Sequence, residues 1–559
     1  MSAADALREG RDAFERRAWA RAYARLSAAD EIAPLGLDDL ERLAVSAYLI
    51  GRDEASAGAW ARGHNECLRL NDVPRAVRCG FWLVLDLLNR GEPARANGWL
   101  ARTRRLLDEA PADCAERGLV LVLIARTHVK EGDIAAAHEA ASRAIQLADR
   151  FDDPELEVFG RLGFAQVRAR RGDAGGAVAL FDEIMVAVTA GDVSPIAVGV
   201  VYCAVIDGCQ SLFDLGRARE WTAAVSRWCE TQPDLVPFRG KCLVHRAEIM
   251  RLSGAWSQAM AEAEQACGWL IHSIGQDEAS GAAGELSAFK YPVGAAFYQL
   301  AEIHRVRGDF ADADAAYRQA SHYGTSPQPG LGLLRMAQGR SGEAEAAVRR
   351  LLAERQTPHA RAGVLAASVD VMIEARDLPV ARLAADELAA LAAGSDAPFL
   401  RALSAQATGS VLLAEGDARG AVAALRGAWM GWQEIEAPYE AARVRVLLGL
   451  GCRALGDDGA AELELDAARR VFERLAAAPD VARLNALRGT PQEDGAGALT
   501  PRELEVIALI ATGRTNQAIA GELGISKRTA MIAPRSAALR FAYASECMIR
   551  RPRPSRLTP

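Results

Sequence analysis

Hydrophobic and small residues recur along most of the chain at the spacing of helices that pack through one face. The clearest stretch covers residues 297 to 320, where one set of such residues precedes Gly308-Asp309 and a second set follows it. Positions three, four and seven residues apart share a helical face, so each set predicts a helix and the glycine predicts the turn between them. The first set is Phe297, Leu300, Ala301 and His304, and the second is Phe310, Ala313, Tyr317 and Ala320.

This helical hairpin repeats along the chain. A glycine, usually followed by Asp, Glu or Arg and then by an alanine about five residues later, marks the hairpins, and the commonest step between marks is 40 or 41 residues. Such a period without strand-like alternation is typical of stacked helical hairpins. The marks are Gly51, Gly91, Gly132, Gly172, Gly216, Gly254, Gly308, Gly339, Gly416 and Gly456, with Arg376-Asp377 in the equivalent place between the last two.

Two copies are less regular. After Gly216, Trp221 stands where an alanine is expected, and the step of 54 residues from Gly254 to Gly308 predicts an insertion around residues 275–284. With these exceptions the pattern predicts an all-α protein with ten to twelve hairpins stacked into a curved solenoid over residues 1–478.

The hairpin resembles a tetratricopeptide repeat, and the array is similar to the tetratricopeptide-like region of the large ATP-binding LuxR regulators, the MalT-like group. That group carries an ATPase domain, but this sequence contains no G-x-x-x-x-G-K-[ST] motif, and Gly240-Lys241 is followed by Cys242. We therefore expect no ATP hydrolysis. A weak dinucleotide-like match at Gly449 and Gly451 lies inside a predicted repeat helix, which favours helix packing.

A different pattern begins after a segment rich in glycine, proline and charge, which predicts a linker within residues 479–498. Thr500 can cap a helix in which Pro501 is the first residue and Glu503 closes a capping box. A second helix is predicted after Gly513. Ala520 is the small residue where this helix meets a third helix, and Gly524 permits the tight turn between them. Ile525 is the apolar residue that seals the corner, and Ser526 can cap the third helix.

The stretch LTPRELEVIALIATGRTNQAIAGELGISKRT resembles the helix-turn-helix of LuxR-type transcription regulators, which implies a small DNA-binding domain at 499–533. In that family the third helix reads the major groove. Carried over by position, the resemblance places Met531, Ile532 and Arg535 toward the bases. It places Lys527, Arg528 and Thr529 near phosphates.

The family pattern changes within the third helix. Ala530 replaces the usual valine anchor, and Pro534 removes a backbone N–H and clashes with the preceding helical turn. We expect the recognition helix to be shortened to about two turns or bent. The remaining residues, 534–559, form a divergent basic tail punctuated by prolines.

Composition limits the remaining possibilities. The chain has 559 residues and a net charge of -7, but residues 500–559 contain ten Lys plus Arg against four Glu, so this end carries +6 and the rest carries -13. A basic end attracts phosphate backbones. The charged N-terminus lacks the apolar core of a signal peptide, and the longest apolar run, at 196–206, is too short to cross a bilayer, so we expect a cytoplasmic protein without membrane contact.

The sequence favours a bacterial DNA-binding regulator that is not an enzyme. The ten cysteines and eight histidines show no metal-binding or catalytic pattern, so we expect no cofactor and no metal. The expected partners are double-stranded promoter DNA and an unknown protein or small-molecule effector on the array, with a homodimer on DNA left open. The alternative is a protein interaction scaffold that has lost specific DNA binding through its altered C-terminus.

Overall fold

The computed structural model describes residues 2–109, 113–232, 234–236, 238–279, 290–354 and 357–488, together with residue 521. Within these residues the chain forms 25 helices and no strand, as the all-α prediction requires. The helices are α1 Ala3–Glu15, α2 Trp19–Ile32, α3 Leu37–Leu49, α4 Asp53–Arg69, α5 Val73–Asn89, α6 Pro93–Glu109, α7 Glu116–Glu131, α8 Ile134–Phe151, α9 Pro154–Arg170, α10 Ala174–Ala190, α11 Pro195–Ser211, α12 Leu215–Glu230, α13 Arg239–Leu252, α14 Trp256–Ala279, α15 Lys290–Arg307, α16 Phe310–His322, α17 Gly330–Ala337, α18 Ser341–Ala353, α19 Pro358–Glu374, α20 Leu378–Ala393, α21 Pro398–Glu415, α22 Ala418–Glu434, α23 Pro438–Ala454, α24 Asp458–Leu475 and α25 Ala478–Arg488.

Consecutive helices pair into twelve antiparallel hairpins from α1/α2 to α23/α24, and neighbouring hairpins pack on one another. This confirms the predicted solenoid of tetratricopeptide-like hairpins. The chain divides into two units, residues 1–482 and residues 483–559. Helix α25 occupies 478–488, so the first ten residues of the segment expected as a linker are helical.

The recurring Gly-Asp-Ala signal has a direct structural meaning. At Gly416 the backbone is left-handed, with φ of 92°, a conformation that glycine adopts without steric cost. Asp417 then caps α22 by accepting the backbone N–H of Gly420 at 2.9 Å. Ala421, five residues after the glycine, is fully buried because the two helices of the hairpin cross there.

One predicted mark is wrong by three residues. Gly216 lies inside α12, and the left-handed residue of that hairpin is Phe213, with φ of 61°. Counted from Phe213, the buried alanine is Ala218, so Trp221 does not replace it and the copy is regular. The prediction from residue type was wrong here because a phenylalanine occupies the left-handed position where glycine is expected. Arg376 does take the predicted place of a glycine, with φ of 61°.

The long step between Gly254 and Gly308 includes α14, which has 24 residues. The predicted insertion at 275–284 falls partly in α14 and partly outside the described residues. The glycines of the weak dinucleotide-like match lie in α23, and a Cβ on Gly449 would come within 2.8 Å of Leu465 on α24. Close packing of α23 on α24 therefore accounts for Gly449, as expected.

The array winds so tightly that hairpins five positions apart meet. The indole of Trp19 donates to the side-chain oxygen of Gln232 at 3.0 Å, across 213 residues of sequence. Similar long-range contacts recur down the array. They are the backbone bond from Val236 to Leu49 at 2.9 Å, the stacked rings of Phe213 and Phe399 at 5.9 Å, and the edge-on pair Trp256 and Tyr439 at 5.4 Å.

Candidate functional site

The positions expected to bind DNA lie outside the described residues. This applies to Lys527, Arg528, Thr529, Met531, Ile532 and Arg535, and equally to the helix-turn-helix positions Thr500, Glu503, Ala520, Gly524, Ile525 and Ser526. The described residues lie almost entirely in the array, where the sequence predicts contact with an effector or protein partner.

We define the N-terminal half of the array as α1–α12, and its inner helices as the odd-numbered ones, which contact one another from hairpin to hairpin. Two arginines of the inner helix α5 link successive hairpins in this half. Arg78 on α5 lies 3.0 Å from Glu116 on α7, and it also contacts Asp153 and Glu155 at the start of α9. One guanidinium thus bridges three hairpins through charge-assisted hydrogen bonds. Arg75 repeats the arrangement toward Asp38 and Glu41 on α3.

A buried carboxyl group lies further along α5. Asp86 is only 3 % exposed, and its Oδ2 has no hydrogen-bond partner among the described residues. Burial and the nearby charge of Asp53 raise the pKa of Asp86 well above its usual value, although Arg90 lies 3.6 Å away. Arg90 is itself shared with Glu54 and Glu92. Asp86 is therefore a buried acid without full compensation.

The C-terminal half, defined as α13–α24, contains a denser polar network. Glu302 on α15 accepts the hydroxyl proton of Tyr317 and lies 2.7 Å from Arg305. Burial opposes ionisation of Glu302, but the charges of Arg305 and Arg251 prevail and lower its pKa. Gly330 closes the site, since a Cβ there would come within 2.0 Å of the Glu302 carboxylate. The network is tightly packed and its opposite charges are paired, which is typical of a structural role, although Nε of Arg305 has no hydrogen-bond partner among the described residues.

A second part of this network spans α19 and α23. Arg443 lies 2.6 Å from Asp370 and 2.9 Å from Glu440, and the Tyr439 hydroxyl donates to Asp480 at 3.0 Å. Arg443 is thus paired with two carboxylates, and Asp480 accepts a hydrogen bond from a tyrosine. The cluster therefore joins helices and offers no free charge to a ligand.

A cavity of about 860 Å³ opens where the α11–α12 turn approaches the α20–α21 turn. Its size suits a small ligand. However, Arg217 in its wall is bound to Asp182 at 2.9 Å and to Asp214 at 2.8 Å. Arg219 is bound to Glu436 at 3.0 Å. Both wall arginines are thus neutralised by neighbouring carboxylates, and the cavity separates two parts of the winding.

Neither a metal site nor a membrane span is found in the described ranges. No group of three or more His, Cys, Asp or Glu residues there could hold a metal ion. None of the described helices has the length and hydrophobicity needed to cross a bilayer. The nine described cysteines are free and buried, so they pack as core side chains.

Sequence reasoning missed these polar networks. A usable signal was present in the N-terminal half, because Arg75 and Asp38 are 37 residues apart and Arg78 and Glu116 are 38 apart, close to the repeat length. Pairs of opposite charge at that spacing indicate contacts between equivalent places in adjacent hairpins. Arg443 and Asp370 are 73 residues apart, about twice that spacing, because they lie two hairpins apart on α19 and α23.

Comparison with known proteins identifies the C-terminal region. Residues 497–532 match the model of the family described as bacterial regulatory proteins, luxR family. The chain carries a LuxR-type DNA-binding segment. The match includes the helix-turn-helix positions and every expected DNA-contact position except Arg535, and it ends two residues before Pro534.

The chain is also similar to solved structures of helical proteins. The apo form of the quorum sensor NprR from B. thuringiensis is 10% identical, with 72% of this chain and 100% of that chain covered and a TM-score of 0.35. The APC/C heterotetramer Cut9–Hcn1 is 14% identical, with coverage of 87% and 96% and a TM-score of 0.33. The human IFIT1 dimer with PPP-AAAA is 14% identical, with coverage of 82% and 94% and a TM-score of 0.33. No curated protein matches the chain at a significant level.

Proposed function

We propose that the protein is a cytoplasmic DNA-binding transcription regulator of LuxR type, in which the array receives an effector or protein partner. The observation that carries this proposal is the LuxR family match at residues 497–532. The charge distribution supports it, because the C-terminal 60 residues carry +6 while the rest of the chain carries -13. A basic segment on an acidic body directs phosphate backbones to that segment. We assign no catalytic role to the chain.

The DNA-contact roles follow from the family pattern. Lys527, Arg528 and Thr529 contact phosphates, while Met531, Ile532 and Arg535 face the bases. Arginine is the one side chain among the last three that suits the donor and acceptor pattern of a guanine edge. Most of the affinity should therefore come from phosphate contacts, which fix position without reading sequence.

The proposed domain order places the linker between the array and residue 499. Gly, Pro and charged residues dominate 488–498, and such a composition disfavours a packed core. Brief protease treatment should cut there and release a helical fragment of about 480 residues. Early cleavage within the array, with 488–498 intact, would contradict this order.

A mobility-shift titration of the full chain with promoter fragments from neighbouring genes tests the function. We expect binding that weakens steeply with salt and discriminates little between fragments. The double variant Lys527→Ala/Arg528→Ala should reduce the salt slope by about two. Arg104→Ala, an exposed arginine on the outer helix α6, is the matched control and should leave the slope unchanged.

A chimera with a regular LuxR-type third and fourth helix after Thr529 should be compared with the natural chain in the same mobility-shift assay. We expect it to gain sequence-specific binding, because a proline inside a helix costs about 3 kcal/mol and removes a hydrogen bond. Equal, specific binding by the natural chain would show that Pro534 does no harm. Absence of DNA binding by the natural chain at low salt would instead favour the scaffold function, which the end of the family match just before Pro534 supports.

A further inference from the structure

An arginine on the inner face of the N-terminal half has surroundings unlike those of its neighbours. Arg126 lies on α7, and its Nη2 donates to Oδ1 of Asn89 on α5 at 3.2 Å. Asn89 in turn hydrogen-bonds the hydroxyl of Tyr48 on α3. Three adjacent inner helices therefore contribute a guanidinium, an amide and a phenol to one small area.

Carboxylates are missing from the immediate surroundings of this guanidinium. Within the described ranges, no Asp or Glu oxygen lies within 4.0 Å of Arg126, whose direct hydrogen-bond partner is a neutral amide. By contrast, Arg78 contacts three carboxylates and Arg90 contacts Glu54 and Glu92. No carboxylate among the described residues therefore compensates the charge of Arg126, whereas Arg78 on α5 and Arg90 at its C-terminal end are neutralised.

The position is both accessible and enclosed. The Arg126 side chain reaches solvent, but the packed helices around it remove part of the hydration of its guanidinium and so lower its pKa. Arginine nevertheless stays charged at neutral pH. A cation that has lost part of its hydration attracts an anion more strongly than one in open water, since the local dielectric constant is lower.

We propose that Arg126, together with Asn89 and Tyr48, anchors the oxyanion group of a small effector on the inner face of the N-terminal half. The ligand chemistry is a carboxylate or a phosphate group, which the planar fork of a guanidinium can bind through two parallel hydrogen bonds. Tyr48 is buried, and its hydrogen bond holds the Asn89 amide in place beside Arg126. This inference deepens the proposed sensing role of the array and rests on it.

Calorimetric titration of the full chain with inorganic phosphate and, separately, with succinate tests the site without DNA. We expect at least one probe to bind saturably, and the preferred probe distinguishes phosphate from carboxylate chemistry. Arg126→Gln should weaken binding at least tenfold. Arg126→Lys should give an intermediate affinity, because it keeps the charge but loses the fork. Arg104→Gln removes the same charge from the outer helix α6 and should change affinity less than twofold.

Three results would overturn the site: no saturable binding of either probe, unchanged binding by Arg126→Gln, or an equal loss in Arg104→Gln. Circular dichroism of each variant confirms the fold, and Arg126→Lys decides the matter if Arg126→Gln does not fold. The mobility-shift assay is independent of this measurement. Loss of DNA binding with intact oxyanion binding would count against the regulator alone, and the reverse would count against the Arg126 site alone.

Discussion

The two halves of the array share the hairpin scaffold but pair their buried carboxyl groups differently: Oδ2 of Asp86 in the N-terminal half has no hydrogen-bond partner among the described residues, whereas Glu302 in the C-terminal half is paired with Arg305. In the N-terminal half one large hydrophobic cluster, with two small clusters beside it, runs from Ala6 to Cys242 at the start of α13. It includes the edge-on rings of Phe81 and Phe159, 5.5 Å apart. In the C-terminal half the hydrophobic residues divide into separate clusters. Polar groups such as Glu302, Arg305 and Arg443 are enclosed there.

The difference shows that the hairpin fold does not determine which side chains occupy the interior of the array. An apolar interior is stabilised by burial and tolerates no loss of volume. A polar interior depends instead on every charged group keeping its partner, because an unpaired buried charge is costly. Single substitutions should therefore lower the free energy of unfolding for different reasons in the two halves.

Phe81→Ala should produce the largest loss of stability. The ring is 1 % exposed and contacts both Trp82 and Phe159, so its removal leaves a cavity that the packed helices cannot fill. We expect the free energy of unfolding to fall by about 3–5 kcal/mol, measured by urea denaturation. Phe297→Ala, at a half-buried ring stacked on Tyr323 in the C-terminal half, is the matched control and should cost about half as much. Equal losses would contradict the contrast between the halves.

Glu302→Gln should have the next largest effect. The substitution keeps the size of the side chain but leaves Arg305 without its opposite charge, at a cost of about 2–3 kcal/mol. Because the folded-state pKa of Glu302 is lowered, its contribution is present above the unfolded pKa of about 4.3 and is lost as pH falls through the folded value. The variant should thus differ most from the natural chain at neutral pH.

An exposed pair provides the comparison for that measurement. Glu345 and Arg349 form an ion pair on the outer helix α18, where solvent screens their attraction. Glu345→Gln should change the free energy of unfolding by less than about 0.5 kcal/mol. If Glu302→Gln has an equally small effect at pH 7, the buried network does not stabilise the C-terminal half.

Much of the fold was predictable because its signals are local. The left-handed Gly416, the cap Asp417 and the buried Ala421 lie within six residues, and each has a physical requirement that its residue type meets. Phe213 shows the limit, since its left-handed backbone is imposed by the surrounding packing. The winding was not predictable either, because the repeat pattern shows which hairpins are neighbours but not that Trp19 and Gln232 meet across 213 residues.

The LuxR-type segment and the Arg126 site also differ in how far the sequence predicts them. The LuxR-type segment was identified from its own thirty residues, and the family match confirms that identification. The Arg126 site depends on three side chains from three hairpins. It also depends on carboxylates being distant, which a sequence without coordinates does not reveal. Only the arginine–acid pairs near the repeat length could have been found beforehand.

Asp86→Asn should have the smallest effect and the opposite sign. Asp86 and Glu302 are both buried carboxyl groups, but burial and Asp53 raise the pKa of Asp86, whereas arginines lower that of Glu302. A raised folded-state pKa means that the folded chain holds the proton more tightly than the unfolded chain. Stability therefore falls as pH rises from the unfolded value of about 3.9 toward the raised value.

Removing this acid should stabilise the protein at neutral pH by roughly 1 kcal/mol, because no buried negative charge then has to form. Arg90 keeps Glu54 and Glu92 as partners, so the substitution leaves no unpaired cation. Urea denaturation at pH 5 and pH 8 measures the effect, which should be larger at pH 8. Asp108→Asn, at an exposed position on α6, should change stability by less than about 0.5 kcal/mol. A loss of stability in Asp86→Asn at pH 8 would show that the Asp86–Arg90 pair stabilises the N-terminal half, as the Glu302–Arg305 pair does in the C-terminal half.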